Sequence, residues 1–224
     1  MKKTLLPTAL LAALLTPLAT LAQSSCSSDG QPRPVALLER FINADCASCW
    51  SDPQARNTQR GEVALDWIVP GSRGDDAPLS AAATRDSLAR LQALGRQAPP
   101  QADEAMQRAA GKRTLRVAHG MPFNDYIGAS IEMKPAARGP WTAWLALVET
   151  VPVGTEGTAV ERNLVRNLLQ VPWQAGRATA RLLESRPMWI AEGARAERLR
   201  VIGWVEDARG RIHGIAQSVC DAAR

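Results

Sequence analysis

The sequence has few histidines, lysines, tyrosines and phenylalanines, and it lacks several motifs that would mark a class of function. Its two histidines, His119 and His213, stand far apart and in unlike contexts, so no paired-histidine zinc motif exists. G-x-S-x-G, H-E-x-x-H and Walker-type loops are absent, which leaves hydrolase and nucleotide chemistry without a signature. The stretch GTEGT (154–158) lacks the lysine of a phosphate loop and reads as a turn. Of 27 basic residues only Lys2, Lys3, Lys112 and Lys134 are lysine, and the arginines are interspersed with acids, as in TRDSLAR and EGARAERLR. With no basic stripe, a nucleic-acid partner is not expected. Setting aside Lys2 and Lys3 takes the formal charge from +5 to +3 (5 − 2). The apolar stretch at 5–18 is interrupted by Pro7 and Pro17 and is too short for a stable membrane span.

What is present points to export. Lys2 and Lys3, the apolar stretch, and Thr20 and Ala22 at the spacing a signal peptidase reads form a bacterial secretory signal over 1–22. The expected location is periplasmic or secreted. Cys26 follows soon after, but Gln23 and Ser24 do not suit a lipobox, so a lipoprotein is not expected. Outside the cytoplasm four cysteines are more often paired than free. Three pairings can be drawn. Cys46 and Cys49 form a local C-x-x-C, which leaves Cys26 and Cys220 to bridge the two ends of the chain as a structural disulfide.

Pattern divides the exported chain in two. After a polar tail (23–34), strands are expected at 35–42 and 63–71 and a helix at 80–95, with Ser80 as N-cap and Gly95 as C-terminal stop. A second helix is expected at 99–111, where Ala102, Ala105, Met106 and Ala109 form one face. From 112 to 224 the pattern is mainly strand, closing with a hairpin at EDARGRIHG. One helix interrupts it, in AVERNLVRNLL, where Val160, Leu164, Val165 and Leu168 share a face. Trp141 and Trp144 fall on opposite faces of their strand, which predicts that one is exposed. Trp173, Trp189 and Trp204 are expected in the core.

Three stretches carry a family resemblance: VALLERFINADCASCWSDP, VGTEGTAVERNLVRNL and RLRVIGWVEDARGRIHGIAQSV. Together they resemble a bacterial family of secreted thioredoxin-like proteins of unknown function. The resemblance implies an α+β chain, with a reduced thioredoxin-like module at 35–111 and a mainly antiparallel, β-sandwich-like half at 112–224. The module is reduced because no Thr-Pro hairpin lies between Gly95 and Lys112, and the segment after Cys49 is short for a full helix.

The C-x-x-C is the candidate site. A cysteine opening a helix has its thiolate favoured by unpaired N–H groups, which casts Cys46 as attacking thiol and Cys49 as resolving thiol. Asp45 opposes that thiolate if it lies close, and Trp50 follows the pair as a supporting residue. Asn163 and Arg166, in the places matching the family, bind a ligand or dock their element on the sheet. This reading makes the chain a thiol–disulfide oxidoreductase with no cofactor, acting on thiol- or disulfide-bearing periplasmic proteins. Two other classes compete. In one, the cysteines are structural and the chain is a secreted binding module. In the other, Cys46, Cys49, His119 and Met121 handle copper(I).

Overall fold

Segments where bulky apolar residues run continuously or alternate become strands, and two of the three segments read as helices do so as well. A computed structural model describes residues 26–136, 138–174 and 180–220; the expected signal segment lies outside the described residues. In chain order, β1 (Cys26–Ser27) and β2 (Ala36–Asn43) precede a one-turn helix, α1 (Ala47–Trp50). Next come β3 (Glu62–Val69), the helix α2 (Arg85–Ala93) and β4 (Ala102–Arg108). The remainder is strand: β5 (Leu115–His119), β6 (Tyr126–Met133), β7 (Pro140–Val151), β8 (Arg162–Gln174) and β9 (Leu182–Trp189). Last are β10 (Leu199–Asp207), β11 (Ile212–Gln217) and β12 (Val219–Cys220).

These strands form two sheets. One has five strands in the order β12-β1-β5-β6-β9, the other seven in the order β11-β10-β7-β8-β3-β2-β4. Ile127, Ala129, Ile131 and Met133 of β6 point one way at strand period and pack, with Leu115 and Val117 of β5, on Ala143, Leu145 and Leu147 of β7 and Val201 and Val205 of β10. Leu91 of α2 joins the core that includes Leu37, Phe41, Trp67, Trp144 and Trp204. Seven of the eight residues of β2 are buried, as befits a strand covered on both faces. The β10–β11 hairpin turns at Gly210, whose φ of +72° suits glycine best.

The expected thioredoxin-like α+β architecture is corrected. Strand accounts for 48% of the structure and helix for 12%, and no thioredoxin-like α/β module is evident. The seven-stranded sheet takes β2, β3 and β4 from before Gly111 and β7, β8, β10 and β11 from after it, so both halves share one sheet.

Local expectations change with it. The segment expected as a helix at 99–111 contains β4, paired antiparallel to β2 from Ala36↔Arg108 to Ile42↔Ala102. Its alanine, glutamate and methionine favour helix, but an unpaired β2 edge offers a full row of backbone hydrogen bonds. AVERNLVRNLL enters β8. A register shift opposite Leu147 and Val148 leaves Arg166 as the extra residue of a β-bulge. That extra residue breaks the period of two and lets the spacing mimic a helix. The helix expected from Ser80 starts at Arg85, because Ser80–Ala82 forms a separate 3-10 turn. Trp141 and Trp144 do lie in different cores, yet both are buried, since each face of β7 is covered. Trp173 and Trp204 are buried as expected, whereas Trp189 is half exposed.

Candidate functional site

Beyond Asn43 the chain leaves β2 in a tight turn. The Cys46 N–H donates to the Asn43 carbonyl at 2.9 Å, and the Cys49 N–H donates to the Cys46 carbonyl at 3.1 Å. Asn43 fixes the turn from three sides. Its Oδ1 accepts from the Asp45 N–H, its Nδ2 donates to the Pro99 carbonyl, and its own N–H donates to the Gln101 carbonyl. Cys46 and Cys49 are joined in a disulfide with Cα atoms 5.4 Å apart, and both are partly exposed. The Ser48 hydroxyl lies 3.5 Å from Cys46 Sγ and, with that sulfur bridged, is the donor.

Asp45 is turned to the neighbouring loop. Its carboxylate accepts from the Ser72 N–H and hydroxyl, each at 2.8 Å, and from the Arg73 N–H at 3.3 Å. Desolvation raises its pKa, but the Ser72 and Arg73 hydrogen bonds outweigh that and hold it below the ordinary aspartate value. A Cβ at Gly71 would collide with this carboxylate, so the approach requires glycine. Asp45 therefore stays ionised next to Cys46.

Behind the turn lies a buried ionic cluster that sequence reasoning missed. Arg40 and Asp66 are register partners on β2 and β3, and Arg162 enters from β8. Asp66 Oδ2 accepts from Arg40 at 2.8 Å and Oδ1 from Arg162 at 3.0 Å. All three side chains are almost wholly buried, so two guanidiniums face one carboxylate. Burial pulls Arg162 below its ordinary pKa and Arg40 adds to the fall, while Asp66 opposes both. Arg162 also donates to the carbonyls of Trp50 (3.0 Å) and Cys49 (3.4 Å) and sits 5.3 Å from the centre of the Trp50 ring. Trp50 is itself buried and donates its indole N–H to the Glu156 carbonyl. A cavity of about 210 Å³ is lined by Cys49, Arg40 and Arg162, with Asp52, Asp103 and Glu104 also on its wall. The signal for part of this cluster was a charged residue inside each of two largely apolar strands, Arg40 in VALLERFI and Asp66 in VALDWIV.

Asn163 and Arg166 both make hydrogen bonds that join strands. Asn163 donates its N–H to Asp66 and its amide to the Ala64 carbonyl, and accepts from Thr150. It thus sews β8 to β3, a junction with a single residue pair, Asp66↔Leu164. Arg166 pairs with Glu149 at 2.6 Å.

The Cys26–Cys220 bridge is present, closing a separation of 194 residues. His119 lies beside this bridge: Cys26 is the register partner of Cys220 on one side and of His119 on the other. Ligand atoms of these three residues all lie within 4.8 Å of one another. Among the described residues, then, the cysteines that His119 joins are Cys26 and Cys220, not Cys46 and Cys49, and Met121 is exposed. Burial pushes His119 below its ordinary pKa, which Arg200 reinforces and the Gly120 carbonyl opposes.

Comparisons with family models, curated proteins and solved structures find no match to this chain. No helix among the described residues is long and apolar enough to cross a membrane.

Proposed function

We propose that the chain is an exported thiol–disulfide exchange protein whose working pair is Cys46 and Cys49. The observation that carries this reading is a partly exposed disulfide spanning three residues, backed by a buried cluster with one more guanidinium than carboxylate. A bridge that closes so short a loop restrains the unfolded chain less than a long-range one does, so its loss and reformation cost the fold less. In the reduced protein the Cys46 thiolate attacks one sulfur of a substrate disulfide and the other sulfur leaves as a thiolate. Cys49 then attacks Cys46 in the mixed disulfide, which frees the second substrate thiol and restores the Cys46–Cys49 bridge. Two electrons pass to the substrate, and an external dithiol returns them. The buried positive excess favours thiolate at this turn, opposed by Asp45 and by the partly buried Asp52, while Glu104 is exposed and screened by solvent. The signal-like N-terminus and the two disulfides support a periplasmic or secreted setting.

The test is insulin reduction driven by dithiothreitol. Wild type should accelerate it and Cys46→Ser should fall to the uncatalysed rate. Equal rates would leave the pair structural and the chain a binding module.

A further inference from the structure

We propose that reduction of the Cys26–Cys220 bridge opens a second site, in which both thiolates and His119 Nε2 bind copper(I). Three residues on adjacent strands stand in one row, Cys220–Cys26–His119, at consecutive register positions. Directly opposed residues of neighbouring strands present their side chains on the same face. The imidazole is buried and its tautomer is set: Nδ1 lies 3.0 Å from the Gly120 carbonyl and is the donor. Nε2 therefore keeps its lone pair, and it has no hydrogen-bond partner among the described residues. An orphaned buried nitrogen is costly unless something uses it. Outer hydrogen bonds of this kind are what orient a ligating histidine.

The row does not depend on the disulfide for its assembly. Just after β1, Ser28 donates its N–H to the Val117 carbonyl of β5 and accepts the Val117 N–H on its hydroxyl, and Arg116 of β5 clasps Asp29. Ser218, fully buried, exchanges two hydrogen bonds with Val201 and so places Cys220 two residues on. Cys220 is exposed while Cys26 is buried, which gives a reductant one sulfur to attack. An external dithiol transfers two electrons and two protons, becoming a disulfide and leaving two protein thiols. Copper(I) then displaces both thiol protons to give a bis-thiolate, imidazole complex. Two thiolates and one imidazole suit a soft d¹⁰ ion that accepts three ligands; zinc(II) would want a fourth.

The experiment removes the other cysteine pair. Protein carrying Cys46→Ser and Cys49→Ser is reduced with a phosphine under nitrogen and titrated with copper(I) against bicinchoninate. One copper per chain is expected when reduced and none when oxidised. Adding His119→Ala should weaken binding by about 10-fold or more. X-ray absorption on the copper-loaded wild type should show sulfur and nitrogen neighbours, the nitrogen lost in His119→Ala, which keeps the assignment testable if the double serine variant does not fold. A folded, reduced protein that takes no copper would overturn the proposal. So would copper affinity and nitrogen scattering that ignore His119, or zinc(II) bound as tightly as copper(I).

Discussion

At the residue scale, Asp45 sets a limit on the proposed chemistry. Its carboxylate is committed to Ser72 and Arg73, so its negative charge beside Cys46 is fixed by structure. Removing that charge should favour the thiolate. In reduced protein, Asp45→Asn should raise alkylation of Cys46 by iodoacetamide at neutral pH by about 3-fold to 10-fold. An unchanged rate would show that the charge does not reach the sulfur. The same group carries a pH signature. Its folded pKa lies below the unfolded value, so its contribution to stability is complete above about pH 4 and fades as pH falls through the folded value. Acid titration should therefore show a steeper loss of stability in wild type than in Asp45→Asn.

At the scale of elements, α2 is fastened by charge as well as by apolar contact. Arg90 forms paired hydrogen bonds with Glu39 of β2 and a third with Glu206 of β10, each at 2.8 Å. The rings of Trp144 and Trp204 each lie 5.0 Å from its guanidinium, and both indoles donate to Glu206. Arg90→Leu would leave two buried carboxylates without their cation, so urea unfolding should show a loss of about 3–5 kcal/mol. Arg96→Ala breaks the more exposed pair with Asp103 and should cost about 1 kcal/mol or less. Legibility follows the same division. Strands β2 and β3 could be read from continuous apolar runs, and the Cys26–Cys220 bridge from the C-x-x-C that left no other partner. By contrast, β4 could not be read, because its residues favour helix and its strand state depends on pairing with β2. The bulge at Arg166 hid β8 by breaking its alternation. The ionic site behind Cys49 was hidden for a related reason: Arg40, Asp66 and Arg162 meet only through strand register, across 122 residues of chain (162 − 40).

At the scale of the whole molecule, the two disulfides act over very different lengths. Chain-entropy reasoning gives about 5 kcal/mol for the 194-residue separation and about 2 kcal/mol for the C-x-x-C. Replacing Cys26 and Cys220 together by serine should thus lower stability in urea by more than twice the effect of replacing Cys46 and Cys49. A reversed order would mean that the local bridge holds more than its own turn. The placement of β1 between β5 and β12 bears on how the molecule is made. In an exported chain, as proposed above, Cys26 would emerge first of the four cysteines and Cys220 last, with Cys46 and Cys49 between. Pairing cysteines in order of emergence would join Cys26 to Cys46, whereas the finished molecule nests one bridge inside the other. Oxidative maturation of this chain is therefore a matter of timing, in which a first cysteine must be kept waiting, or be reshuffled, until the last strand arrives.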